Sequence, residues 1–245
     1  MINCTDRQYI IFQNLVLDGT NITGSASTIV YLTASSTGTN HVRFIGCTCQ
    51  NINGTNVQNF IVAAGSNALA GLDNYNEFIN CKAGGNTANS LNHGWYIEGN
   101  YNLLDGCEAY DTGGECIQIY KGSGANGTDC GNNIIRNCKI HDAGQNKAGA
   151  AGLVVGIGDG NLVYNTLIYN NPTSIQVDYG ASNSKIYNNT CYNSTYANDF
   201  AIRIGYTGGA SNTTVENNIV WATAGSDAIA NYGTGTVCSY NLSCV

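Results

Sequence analysis

Eight times along this chain an apolar residue is followed by any residue and then by Asn or Gly, before a short run of alternating side chains. The copies are Phe12-Gln13-Asn14-Leu15, Phe44-Ile45-Gly46-Cys47, Phe78-Ile79-Asn80-Cys81, Leu104-Asp105-Gly106-Cys107, Ile135-Arg136-Asn137-Cys138, Val163-Tyr164-Asn165-Thr166, Ile186-Tyr187-Asn188-Asn189 and Val215-Glu216-Asn217-Asn218. A ninth, weaker copy is Cys238-Ser239-Tyr240-Asn241. A repeat of this length is the signature of a solenoid, in which equivalent positions stack into columns. The Asn or Gly positions recur every 23 to 34 residues, so the connecting loops vary while the strands keep their phase. Asn and Gly tolerate the left-handed backbone, which makes this position a sharp bend between two strands. Side chains alternate on either side of it, the period of a strand.

A second family of strands precedes each bend. It includes Trp95-Tyr96-Ile97-Glu98, Ile117-Gln118-Ile119-Tyr120, Leu153-Val154-Val155-Gly156, Ile175-Gln176-Val177-Asp178, Ile202-Arg203-Ile204-Gly205 and Ile229-Ala230-Asn231-Tyr232. Apolar strands separated by Asn and Gly bends, with no helical period, predict parallel strands coiling as a solenoid. The stretches His93-Gly94-Trp95-Tyr96-Ile97-Glu98-Gly99, Asn102-Leu103-Leu104-Asp105-Gly106-Cys107 and Gly114-Glu115-Cys116-Ile117-Gln118-Ile119-Tyr120 resemble the repeats of the pectate-lyase-like superfamily. The resemblance spans about residues 9–245. It implies an all-β fold, a right-handed parallel β-helix of about nine coils, as a single domain over 1–245. The superfamily holds polysaccharide lyases, hydrolases, epimerases, esterases, tailspikes and adhesins, so the resemblance is specific for fold and loose for function.

Composition narrows the partners. Only 10% of residues are charged and the net charge is −7, without a basic run, which argues against nucleic acid. No apolar stretch reaches the ~20 residues of a membrane span. The start, Met1-Ile2-Asn3-Cys4-Thr5, shows no signal peptide; the resemblance nonetheless implies an extracellular or cell-surface location. Eleven cysteines leave at least one unpaired within the chain. Cys47, Cys81, Cys107 and Cys138 share one repeat position and are expected to stack as buried free thiols, because rungs ~4.8 Å apart are too far for a disulfide. Cys4, Cys130 and Cys244 lie near loops or ends, where pairing is open. The same column then passes to Thr166, Asn189, Asn218 and Asn241, amides that can hydrogen-bond along the axis.

Three outward features could carry function. On the second strand family, Gln176, Asp178 and Arg203 fall on adjacent rungs, with Asp178 and Arg203 diagonal neighbours. The resemblance to lyases implies Arg203 as the base that takes the proton alpha to a uronate carboxylate, Asp178 as its partner or a metal ligand, and Gln176 as a substrate contact; a surface ion pair is the plain alternative. Four residues after the bend, Tyr110, His141, Tyr169, Tyr192 and Trp221 form an aromatic column, of which Tyr110, Tyr169, Tyr192 and Trp221 are the candidate sugar platform. Lys82, Glu108 and Lys139 form a charge ladder of alternating sign, a structural feature. The three histidines, with His141 placed in a bend, show no zinc spacing. Asp73-Asn74-Tyr75-Asn76-Glu77 offers oxygen ligands that would suit calcium, the only cofactor left open, although a polar turn explains it equally.

The functional expectation is a protein that binds an acidic polysaccharide, either a lyase that cleaves it by β-elimination or a relative that binds glycan without cleaving it. The competing expectation is a structural or adhesive solenoid, a fibre or tailspike-like segment. The repeat runs to both ends of the chain without a capping helix, which predicts either a fragment of a longer protein or head-to-tail stacking into a filament.

Overall fold

The computed structural model describes residues 1–62, 72–120, 130–192, 200–222 and 227–244. Every paired strand in it is parallel, and the three large sheets have nine strands each. Each coil contributes one strand to each sheet. Sheet 1 runs through Ile2–Thr5, Thr28–Thr33, Gln58–Val62, His93–Ile97, Ile117–Ile119, Ala151–Gly156, Thr173–Asp178, Ile202–Ile204 and Ile229–Asn231, which number coils 1 to 9. Sheet 2 runs from Ile11–Gln13 to Val237–Ser239, and sheet 3 from Val16–Asp18 to Leu242–Cys244. The nine repeats of the sequence are these nine coils of a parallel β-helix.

The bend between sheets 2 and 3 is left-handed in every coil. Asn14, Gly46, Asn80, Gly106, Asn137, Asn165, Asn188, Asn217 and Tyr240 have φ between 52° and 67°. A Cβ at Gly106 would strike the Asn80 side-chain oxygen, so stacked amides and backbone strain both select glycine there. The entry to sheet 2 has a second left-handed column that sequence reading did not single out. It consists of Tyr9, His41, Tyr75, Tyr101, Asn132, Gly160, Asn183, Asn212 and Gly235. Bulky residues are rare at positive φ. The first four compensate by stacking rings, at centroid distances of 4.9, 5.3 and 4.9 Å.

Inside, the core changes character along the axis. Coils 1 to 4 are filled by stacked aromatics: Phe12 on Phe44 at 4.7 Å, Phe44 on Phe78 at 5.6 Å, and Phe60 on Trp95 at 5.1 Å. Later coils substitute Ile135, Val163, Ile186 and Val215, all fully buried. Cys47, Cys81, Cys107 and Cys138 are buried and free, as is Cys4. Their thiols reach carbonyls of the preceding coil, Cys107 to Phe78 at 3.2 Å for example, so they act as small apolar fillers with one weak donor. In the coils that follow, Asn189 donates to the Asn218 side-chain oxygen at 3.0 Å and Asn218 to that of Asn241 at 2.9 Å. Another amide column, also missed, links Asn76, Asn102, Asn133 and Asn161 through backbone and side-chain N–H groups at 2.9 to 3.2 Å. Buried amides are costly unless paired, and both columns pair theirs along the axis except at Asn161, whose side-chain nitrogen ends the second column without a partner among the described residues.

Candidate functional site

The outward residues of sheet 1 form one column in register: Asn3, Tyr31, Ile61, Tyr96, Gln118, Val154, Gln176, Arg203 and Ala230. Two regions of this face differ sharply. Over coils 2 to 5 the column is open, and a groove of about 430 Å³ lies on it, lined by Tyr31, Ile61, Tyr96, Gln118, Glu98 and Tyr120 together with Gln58 and His93. It continues toward coil 1 into an apolar hollow of about 660 Å³ that shares Tyr31, Asn56, Gln58 and Ile61.

The groove combines two proton-transfer groups of opposite disposition. His93 opens the coil-4 strand beside Gln58 of coil 3. Its side chain is only 5% exposed. Burial holds its pKa below the ordinary imidazole value, so the ring is neutral near pH 7. Nδ1 lies 3.2 Å from the Glu115 carbonyl oxygen, an acceptor, so the ring carries its proton on Nδ1. Nε2 has no partner among the described residues. Tyr96 lies three residues along the same strand, its ring 5.8 Å from that of His93. Burial, followed by the nearby Glu98 carboxylate, pushes the Tyr96 phenol far up, so it keeps its proton. An imidazole nitrogen that can accept a proton and a phenol that holds one thus stand side by side in the groove.

Farther along the same face, coils 7 and 8 hold the residues singled out from sequence. Asp178 is completely buried and has no direct contact with Arg203. Gln176 stands between them, accepting from Arg203 Nη2 at 2.5 Å and donating to Asp178 at 3.0 Å. Asp178 also accepts the backbone N–H groups of Tyr179, Thr207 and Gly208 at 2.9, 2.8 and 2.7 Å. The carboxylate is thus covered by the turn it anchors, which corrects the expectation of an outward acid beside Arg203. The Arg203 guanidinium rests over Tyr206 at 4.6 Å. Between the two regions Tyr120 and Tyr179 meet edge to face at 5.2 Å over Gly156.

The aromatic column on sheet 3 exists in the predicted register, through Tyr110, His141, Tyr169, Tyr192 and Trp221. His141 ends a strand rather than lying in a bend. The rings are turned on one another: His141 stacks on Tyr169 at 4.8 Å and 9°, Tyr110 on His141 at 6.0 Å, and Trp221 abuts Tyr192 edge to face at 4.6 Å. Trp221 is 48% exposed and the other rings of the column are half-buried. Faces that touch neighbouring rungs are closed to a sugar. The charge ladder beside it is real, with Glu108 at 2.7 Å from Lys82 and 3.0 Å from Lys139. Those two cations, the Lys82 hydrogen bond first, hold the Glu108 carboxyl down at about 2.

The Asp73–Glu77 segment does not converge on a cation. Glu77 pairs with Arg43 at 2.7 Å, Asn76 belongs to the buried amide column, and Asp73 accepts the Thr39 N–H at 2.7 Å. Among the described residues no group of three or more His, Cys, Asp or Glu gathers around a common point. The glycine-rich run 121–129 lies outside the described residues. Sequence reading noted Tyr96, Glu98, Gln118 and Tyr120 as strand residues but did not assemble them. The signal available was the alternation in Trp95-Tyr96-Ile97-Glu98; what alternation does not reveal is which outward stretch stays uncovered.

Residues 121–242 match the family model described as right handed beta helix region. Solved structures with the same architecture include the A-modules of the Azotobacter vinelandii mannuronan C-5 epimerases AlgE6 and AlgE4. AlgE6 has 19% identity, covers 96% of this chain and 74% of that one, and has a TM-score of 0.64. AlgE4 has 14% identity, covers 96% and 71%, and has a TM-score of 0.65. Pectate lyase Pel9A has 13% identity, covers 86% and 55%, and has a TM-score of 0.51; the chain thus spans little more than half of that lyase. The chain has the right-handed parallel β-helix fold of these structures. No curated protein sequence matches it.

Proposed function

We propose that the protein binds an acidic polysaccharide in the sheet 1 groove and removes the proton alpha to a uronate carboxylate, with β-elimination as the outcome. The carrying observation is the His93–Tyr96 pair, an imidazole held at Nδ1 by the Glu115 carbonyl with the phenol ring 5.8 Å away, both lining the groove. His93 Nε2 takes the proton from C5. The electron pair left on carbon forms the C4–C5 double bond, and the departing O4 takes the Tyr96 phenolic proton. Gln118, on the rung after Tyr96, meets the uronate carboxylate, and Tyr31 and Ile61 flank the neighbouring sugar. Arg203 is not our base: its guanidinium stays protonated in proteins, and it stands four coils away. The named activities of the similar structures, on mannuronan and pectate, support the substrate class. An extracellular or cell-surface setting follows from such a substrate.

The test is incubation with mannuronan, pectate and a neutral glycan in deuterated buffer. Ultraviolet absorbance then reads unsaturated ends, and NMR reads deuterium at C5. Unsaturated product from a polyuronate alone supports the proposal. Deuterium without cleavage redirects it to epimerisation. Neither signal from any polyuronate overturns it in favour of a non-catalytic solenoid.

A further inference from the structure

Behind the groove lies a buried chain of charges that the proposed reaction does not by itself require. Glu115 precedes the coil-5 strand and its side chain is 6% exposed. One carboxylate oxygen, Oε1, takes Lys147 Nζ at 2.5 Å. The other, Oε2, lies 3.4 Å from His93 Nδ1 and has no hydrogen-bond donor of its own. Lys147 arrives from the turn before the coil-6 strand. That turn is fastened to the Glu115 segment by backbone bonds from Gly144 to Gly114, Asn146 to Gly113 and Gln145 to Thr112, at 2.9 to 3.0 Å. Three successive coils therefore deliver an ammonium, a carboxylate and an imidazole in line.

We propose that Lys147–Glu115–His93 is a charge relay in which Glu115 positions His93 and stabilises its protonated form, while Lys147 limits that stabilisation. The inference rests on His93 being the groove base. A buried carboxylate oxygen without a full hydrogen bond is costly. Proton uptake at His93 Nε2 makes the ring cationic and supplies the charge that Oε2 lacks. The proton on Nδ1 stays in place, and the relay moves no second proton. Lys147 neutralises part of Glu115 in advance, so the base is not permanently charged. The groups facing His93 are Glu115 from coil 5 with Lys147 behind it, Tyr96 on its own strand, and the neutral Gln58 of coil 3. Glu115 and Lys147 act on the imidazole in opposite senses. Glu115 and Lys147 are positioning residues; neither lines the groove.

The test is an NMR titration of the histidine ring protons, with His41 and His141 as internal references. Glu115→Gln is expected to lower the His93 pKa, and Lys147→Met to raise it, each by about half a unit or more. The acid limb of the kcat profile on a cleaved polyuronate is expected to shift in the same two directions, with KM within about twofold. Lys147→Met alters the exposed end of the relay, so the proposal stays testable where Glu115→Gln does not fold. Shifts of one sign for both variants, or no shift for Lys147→Met, overturn it. The titration needs no substrate. Opposite shifts without turnover on any uronan would keep the relay and refute the proposed reaction.

Discussion

The two polar clusters on the outer face of sheet 1 use the same register and similar residues, yet they do opposite things. At coils 7 and 8 the carboxylate is satisfied from within: Asp178 accepts three backbone N–H groups and Gln176, and Gln176 is held at its other end by Arg203. At coils 4 and 5 the histidine is held from behind, while Tyr96 and Glu98 interact with each other within the groove. His93 is gripped at Nδ1 from behind, which leaves Nε2 and the Tyr96 ring to the groove. A carboxylate whose bonds are all closed by a turn holds a loop; an imidazole held only at its inner nitrogen can act on a ligand. Buried and perturbed residues occur in both, so composition alone does not separate them.

The largest expected effect that sharpens this contrast is at Tyr96. Tyr96→Phe removes the proton donor and keeps the ring, and should lower kcat by about 10²–10⁴-fold with the melting temperature little changed. Comparable loss from Arg203→Gln would break the comparison. Next is Asp178→Ala, which strands the N–H groups of Tyr179, Thr207 and Gly208 and should cost about 3 kcal/mol of unfolding free energy. Denaturant titration checks this, and polyuronate turnover below the unfolding transition should persist.

A smaller effect concerns Asp73. It is buried, its Oδ2 has no partner, and burial pushes its carboxyl up to about 6. A raised folded-state pKa favours the protonated form, so stability is full near pH 4 and falls as pH rises toward 6. Asp73→Asn should therefore stabilise by about 2 kcal/mol at pH 7 and leave stability at pH 4 unchanged, as read by melting against pH. Equal effects at both pH values would contradict the account. The smallest effect belongs to Trp221→Ala. Loss of one edge-to-face contact should cost under about 1 kcal/mol and leave oligouronate affinity, measured by calorimetry, intact. A tenfold weaker affinity would return function to the sheet 3 column.

Much of the architecture was legible because it is written in spacing. The bend position, the thiol column and the aromatic register all follow from counting residues from Asn or Gly. The groove was not legible, for a physical reason. Alternation says that Tyr96, Val154, Gln176 and Arg203 all point outward, but loops of variable length decide which of them meet solvent. Val154 and Gln176 are 2% and 4% exposed despite pointing away from the core. The left-handed column at Tyr9, His41, Tyr75 and Tyr101 escaped notice because aromatic residues are not expected at positive φ; only their mutual stacking explains them. Asp178 looked like half of an ion pair because sequence gives rung position but not the turn that folds over it.

The central claim is that ligand binding belongs to the open stretch of sheet 1 over coils 2 to 5. The most direct measurement is a crystal structure of the protein with a uronate tetrasaccharide. The account predicts sugar density along Tyr31, Ile61, Tyr96 and Gln118, with a C5 facing His93 Nε2. Density confined to the Tyr169–Tyr192–Trp221 ridge or to the Arg203 side chain, with the groove empty, would contradict it.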